Sequence, residues 1–306
     1  MNAVVPASGR AFARIRPLTW KSCLAALGSA LLASACEPEQ IGPKEPPSTA
    51  LARIERALPK FEAARGKSWP PPGRRVAEAR QAMRVRDSRA AHRLVRQELH
   101  LNPGNDEARL ILCQIIYQDM AIGAALPGLE QILDHGPSFE GAERAFYLYG
   151  NCQLRLGDAS AARRAFMAHL SLNPEHGETH YSLGELALQE ADSDRAIEHF
   201  QKAYQLLETN PRTQGPFRSI NLARVQSSLG SAYFQKDAME LARASLETSL
   251  KLNPDDPQTY YVLSRVLARM GDDDGARSAT ETFQKLKQAG PTGARRQVPP
   301  APGRNQ

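Results

Sequence analysis

No nucleophile elbow, phosphate-binding loop or paired-cysteine motif occurs anywhere in the 306 residues. The acyl-transfer, nucleotide-cleaving and thiol or zinc chemistries that those motifs support therefore have no recognisable seat in the chain. Aromatic residues make up only 6%, while Ala, Leu and Arg recur throughout. That mixture favours helices over strands. Positive charge is also scarcer than the formal +6 implies. Arg10, Arg14, Arg16 and Lys21 precede Cys36 with no acid among them, and the remainder holds 35 basic against 33 acidic residues. A near-neutral body without a recognisable binding module argues against nucleic acid. Long apolar runs are missing as well. Cys23 to Ala35, CLAALGSALLASA, is a run of 13 residues, where crossing a bilayer takes about 20.

That run instead suits the apolar core of a signal peptide, since a cationic leader precedes it and Ala33-Ser34-Ala35 supplies small residues for cleavage. The next residue is Cys36, so LLASAC resembles a bacterial lipoprotein box, with Ala33 where the commonest form has Leu. The resemblance implies diacylglycerol on the Cys36 thiol and a further acyl chain on its freed amine, which together anchor stably where one chain would not. Glu37 in place of an Asp leans toward the outer membrane. Ordinary secretion, with Cys36 there by accident, is the plain alternative. The Pro-rich, polar stretch after Cys36 reads as a tether over residues 36–50.

The phrase Leu-Asn-Pro recurs at residues 101–103, 172–174 and 252–254. Taking each closing Pro as position 32 of a 34-residue unit gives units beginning at Pro72, Asp106, Glu143, Gly177, Ala223 and Pro257. Position 20 is then always alanine: Ala91, Ala125, Ala162, Ala196, Ala242 and Ala276. Position 8 is always small, running Ala79, Cys113, Gly150, Gly184, Gly230 and Ser264. Each unit reads as two antiparallel helices that need small residues where their axes nearly touch. Large residues fill the neighbouring layer, among them Tyr149 and Leu183 at position 7 and Phe166, Phe200 and Leu246 at position 24. Gly157 and Gly271 turn one helix into the next, and each closing Pro stops the second helix.

This pattern resembles the tetratricopeptide repeat from about Pro72 to Gly290, most strongly in the last four units. The resemblance implies an all-α, right-handed α-solenoid of about six helix pairs with a groove built from first helices. The chain so divides into a signal peptide (1–35), a tether (36–50), a capping helix and linker (51–71), the solenoid (72–290) and a disordered tail (291–306). The capping helix is expected over the first unit's exposed face. Pro127 is expected to delay the second helix of unit two to about Leu126, and residues 208–219 to form a projecting loop, with the following helix lengthened backward from Ser219.

In the family the groove holds peptide segments through positions 2, 5, 9, 12 and 13. Carried onto this chain, the partner-binding candidates are Tyr117, Tyr147, Asn151, Tyr181, Glu185, Phe234, Tyr261 and Arg265. Tyrosine offers broad contact, a hydroxyl and few rotors to freeze. The bland alternative is that Tyr at position 5 simply packs between neighbours. The Lys/Asn clamp by which some members grip a chaperone's C-terminal carboxylate is absent, because Tyr147 and Tyr181 stand where Lys is needed and Glu185 would repel the ligand.

Unit one carries a basic patch of Arg74, Arg75, Arg80, Arg84, Arg86, Arg89, Arg93 and Arg96. A solvated face explains such a run, as does docking to anionic headgroups or to an acidic partner. Cys113 and Cys152 occupy core positions, and an oxidising compartment would also allow them to pair. His176, Glu178 and His180 lack the zincin spacing, so no metal site, no cofactor and no catalytic residue are assigned.

The expectation is a lipid-anchored envelope scaffold, facing the periplasm from the outer membrane, that binds envelope proteins and is not an enzyme. A leader, lipobox, tether and six repeats resemble the pilotin-type lipoproteins of type IV pilus systems, which assist secretin assembly. An adaptor for peptidoglycan enzymes is the alternative, and an enzyme with an unrecognised site a remoter one.

Overall fold

Six helix pairs stack in the order of the sequence. The structure, a computed structural model, describes residues 47–209 and 216–289. The expected signal peptide, Cys36, most of the expected tether and the expected C-terminal tail lie outside the described residues. A leading helix α1 (Pro47–Ala63) precedes six pairs: α2 (Arg74–Arg84) with α3 (Ser88–Leu101), α4 (Asp106–Gln118) with α5 (Ile122–His135), and α6 (Arg144–Arg155) with α7 (Ala159–Leu172). The series continues with α8 (Gly177–Gln189) and α9 (Ser193–Thr209), α10 (Pro216–Gln235) and α11 (Met239–Leu252), then α12 (Pro257–Met270) and α13 (Asp273–Ala289). Each second helix also packs on the next first helix, and first helices meet their successors at α2–α4, α4–α6, α8–α10 and α10–α12. No strand occurs among the described residues, and the expected all-α solenoid of six pairs is what the chain forms.

The small positions lie where the spacing predicts. Ala91, Ala125, Ala162, Ala196 and Ala242 are all 0% exposed, whereas Ala276, in the last described pair, is half-buried. A methyl group added at Gly150 would meet the Phe166 ring at 2.7 Å, one at Gly184 the Phe200 ring at 2.6 Å, and one at Gly230 Leu246 at 2.6 Å. Unit two solves the same problem differently. Position 8 is Cys113 there, and the space comes from Gly128, where a methyl would lie 2.6 Å from the Cys113 sulfur.

The turn inside each unit is equally regular. Position 15 adopts left-handed backbone in all six: Arg86 (φ 61°), Met120 (65°), Gly157 (87°), Ala191 (59°), Asp237 (63°) and Gly271 (80°). Only the two glycines were legible from sequence, because an L-residue there costs about 1–2 kcal/mol and is not what composition leads one to expect. At the next residue, Asp87, Asp158, Asp192 and Asp272 cap the second helix, each carboxylate accepting from the backbone N–H three residues later at 2.8–3.1 Å. Unit five has Ala238 at this place with the same backbone and no side-chain cap. Replacing Ala238 with Asp should raise stability by about 1 kcal/mol in denaturant unfolding, without changing the slope.

The closing Asn residues share one geometry. Asn102, Asn173 and Asn253 end their helices at φ −137° to −143° and ψ 80° to 90°, outside helical space, as the following Pro demands.

Four expectations need correction. Helix α1 starts at Pro47, inside the stretch read as tether, because Pro is well tolerated in a first turn. It does not cover unit one but lies on α5 and α7 of units two and three. Its stripe Ala50, Ile54, Ala57 and Phe61 joins the core that holds Ala161, Ala165 and Ala168 of α7. Alanines on both helices permit close approach. Phe139 and Ala142, in the insertion between units two and three, belong to the same core, and the Phe61 and Phe146 rings meet edge-on at 4.9 Å. Polar contacts frame the seam: Arg53 with Glu130 at 3.0 Å, Arg164 with Glu55 at 2.7 Å, and Lys60 donating to the Asp134 carbonyl at 2.5 Å.

The other two corrections concern helix ends. Helix α5 starts at Ile122, and Pro127 sits inside it near the N-terminus, where its missing N–H orphans a single carbonyl. The expected loop of 208–219 is helical at both ends, since α9 runs to Thr209 and α10 begins at Pro216.

Candidate peptide-binding groove

The first helices of units two to five line a common groove of about 450 Å³. Helix α4 contributes Tyr117; α6 contributes Tyr147, Asn151, Leu154 and Arg155; α8 contributes Glu178, Tyr181, Ser182, Glu185 and Gln189. Helix α10 adds Arg224 and Val225 from within its repeat and Asn221 from the extension ahead of it. Five of the eight candidates from sequence thus converge here: Tyr117, Tyr147, Asn151, Tyr181 and Glu185.

Phe234, Tyr261 and Arg265 do not. They gather at the C-terminal end, where the Arg265 guanidinium lies 5.0 Å from the Phe234 ring centre and 5.8 Å from that of Tyr261. Tyr261 is 42% exposed and leans on Phe283 of α13.

The groove residues are held before any ligand arrives. Tyr181 packs on Phe200 (centroids 5.6 Å apart), its hydroxyl lies 3.2 Å from Ser228 Oγ, and Arg224 stacks over its ring at 4.7 Å. The Ser228 hydroxyl donates to Glu185 at 2.7 Å. On the other side Arg155 donates to the Tyr117 hydroxyl at 2.9 Å and lies 5.2 Å from that ring's centre. Asn151 donates to the Tyr147 carbonyl at 3.0 Å. Burial pushes the Tyr147 phenol up to about 12 and raises that of Tyr181, so both keep their protons to donate. Position-5 tyrosines therefore pack within their own pair, and Tyr147 and Tyr181 line the groove as well. The two readings of that position coexist.

Arg155, Glu178, Gln189 and Arg224 were missed, although the signal existed. Glu178 and Arg224 stand at position 2 of their units, Arg155 and Gln189 at position 13. Asn221 has no repeat position, because it enters on the extension of α10 ahead of Ala223, the backward lengthening expected from Ser219.

A histidine cluster underlies the groove. Buried His169 has Nδ1 2.8 Å from Thr179 Oγ1, and the same hydroxyl lies 2.9 Å from His176 Nδ1. His176 caps α8, accepting from the Thr179 N–H at 3.2 Å, as its place before the helix implied. The Tyr147 ring sits 5.0 Å from His176 and 5.7 Å from His169. Among the described residues no three His, Cys, Asp or Glu side chains converge as a metal-binding group.

Burial, reinforced by nearby His176 and Arg144, drives the His169 pKa down to about 3. The unfolded chain binds its proton near pH 6.5, so the stability His169 lends is complete above that pH and lost as pH falls toward 3. Stability should drop by about 2 kcal/mol between pH 7 and pH 5 on account of His169, and His169→Phe should flatten that slope in denaturant titrations.

Cys113 and Cys152 are both free and buried in one core, which pushes each thiol up to about 12. They serve as small apolar residues.

Residues 147–211 and 223–256 match family models of the tetratricopeptide repeat. These segments are tetratricopeptide repeats. They comprise most of units three to five, including the tyrosine-bearing α8, and the remaining tetratricopeptide-like pairs continue the same geometry on either side. No curated protein sequence matches the chain. Solved structures do resemble it. The APC/C hetero-tetramer Cut9–Hcn1 superposes with a TM-score of 0.60 at 15% identity, covering 81% of this chain and 45% of that one. The chain thus spans less than half the length of that relative. Pseudomonas aeruginosa PilF gives a TM-score of 0.52 at 16% identity, with 77% and 94% covered, and BtubC from P. vanneervenii gives 0.52 at 18%, with 83% and 96% covered. At such identities the likeness is one of fold.

Proposed function

We propose that this tetratricopeptide scaffold holds a polypeptide segment of an envelope protein in the groove of α4, α6, α8 and α10. The observation that carries the reading is the preset lining, in which tyrosines and arginines stack on one another in an open cleft. Side chains fixed in advance lose little entropy on binding, so their contacts convert into affinity. Both charge signs are present, in Arg155 and Arg224 against Glu178 and Glu185, which suits a segment carrying both acids and bases.

On this reading the leader is removed and Cys36 carries the lipid that anchors the chain, at the outer membrane and facing the periplasm. Within that class the order of leader, Cys36, tether and repeats supports a role in assembling an outer-membrane secretin. Deleting the gene should then leave secretin subunits as monomers, and normal heat-resistant multimers in the deletion strain would exclude that role. Acyl groups on Cys36 in the mass spectrum of the mature N-terminus test the anchor.

The groove itself is tested by contrast. Tyr181→Ala should weaken capture of the envelope partner tenfold or more, about 1.4 kcal/mol, with helicity retained. Tyr261→Ala, outside the groove, should leave capture unchanged. Equal effects from both would place binding elsewhere.

A further inference from the structure

Helix α3 has a face unlike that of any other second helix. Its exposed residues are Arg89, Arg93, Arg96, Gln97, His100 and Leu101, with no carboxylate among them. The three arginines follow i, i+4, i+7, one stripe about 10 Å long. The flanking acids are engaged elsewhere. Asp87 caps the Ala90 N–H, and Glu98 is half-buried between Arg75 at 3.6 Å and the Asn105 amide at 3.0 Å.

Other second helices balance their charge. On α9 Asp194 and Glu198 accompany Arg195 and Lys202, on α11 Glu247 pairs with Arg243, and on α7 Arg164 binds Glu55. The structure also divides the eight-arginine patch. Arg74, Arg75 and Arg80 are taken by Glu78, Glu98 and Glu107. Arg84 ends α2 just before the stripe, exposed, beside Val85 at 65% exposure, and Leu101 at the far end is 64% exposed.

We propose that this stripe docks the solenoid on a membrane surface rich in anionic headgroups. The shape selects that partner over an acidic polypeptide. Second helices form the outer, convex side, and a single raised row of guanidiniums meets a broad plane of phosphates, whereas a chain-like ligand would need a groove. Guanidiniums take phosphate oxygens in bidentate fashion, and Val85 and Leu101 sit where apolar side chains enter the headgroup boundary. Each guanidinium near such a surface strengthens binding about fivefold, so the three together contribute on the order of a hundredfold. The inference is independent of the groove and of the Cys36 anchor.

Cations ahead of Cys36 also attract anionic lipid, so the test must read residues singly. Full-length protein is treated with phenylglyoxal, and each arginine's labelling is followed by mass spectrometry. Vesicles of phosphatidylcholine with about 30% phosphatidylglycerol should slow labelling of Arg89, Arg93 and Arg96 about threefold or more relative to pure phosphatidylcholine, while Arg195 on α9 should not change. In the variant R89E/R93E/R96E, with helicity checked by circular dichroism, the vesicles should no longer protect Arg84. Equal labelling of the stripe in both vesicle types would overturn the proposal. So would protection by polyglutamate with none from vesicles, which would assign the face to an acidic protein.

Discussion

Replacing Phe200 with Ala should cost about 3–5 kcal/mol, among the largest losses expected from any single side chain in the solenoid. The ring is fully buried at the centre of unit four, stacked over Gly184 and in contact with Tyr181 of the groove. Truncation removes its transfer energy and leaves a cavity that two rigid helices close poorly. The reason Phe fits at all is that position 8 has no side chain, and the units show this as an inverse relation of size. Gly150 and Gly184 face Phe166 and Phe200, whereas Ala79 in unit one shares its core with the smaller Val95.

The relation makes a further, sharper expectation. Gly184→Ala gains about 1 kcal/mol of helix propensity but drives a methyl into the Phe200 ring, so it should destabilise by about 1–2 kcal/mol net. Combined with Phe200→Val, which recreates the pair found in unit one, it should cost less than the two separate changes summed, with a coupling of about 1–2 kcal/mol. Urea unfolding of the four proteins checks this. Strict additivity would mean that the two positions do not meet as described.

Phe61→Ala should release α1 from the outer face of the solenoid, at a cost of about 3 kcal/mol or more to that contact. Phe61 is buried against Phe146, and α1 is joined to the rest by a linker of residues 64–73 rather than by a tight turn. Such a helix is a separate cooperative element, so its loss should register locally. Hydrogen exchange should quicken across residues 50–63 while α8 and α9 keep their protection, and trypsin should cut at Arg53, Arg56 and Lys60. Released α1 would uncover the Ala161, Ala165 and Ala168 stripe together with Phe139, an apolar face large enough to promote association. Uniform loss of protection along the chain would show instead that α1 and the repeats unfold as one.

What could be read from sequence follows from how local each determinant is. Small residues at positions 8 and 20 and the closing Asn-Pro are set by neighbours within one pair, so the fold class and all six pairs were legible. The position of α1 was not, because an amphipathic helix shows that it packs but not on what. Its partner was recorded only as three alanines on the outer face of α7, in a sequence where alanine is everywhere. Unit two hid its solution similarly, moving the small residue from position 8 to Gly128. In the groove, spacing found Tyr117, Tyr147, Asn151, Tyr181 and Glu185, since first-helix positions project inward by geometry. Carried to the last two units, the same rule misplaced Phe234, Tyr261 and Arg265, which stack among themselves. Asn221 depended on where α10 begins, a boundary set by Pro216 rather than by the repeat.

The account rests on the inner face of the solenoid being where a polypeptide is held. Photo-crosslinking in intact cells addresses that directly, with a photoreactive residue placed at Gln189 on the groove or at Leu241 on the exposed side of α11. Crosslinks to a discrete envelope protein from position 189, absent from position 241 and lost in Tyr181→Ala, are the predicted result. Equal crosslinking from both positions, or crosslinks from 241 alone, would contradict it.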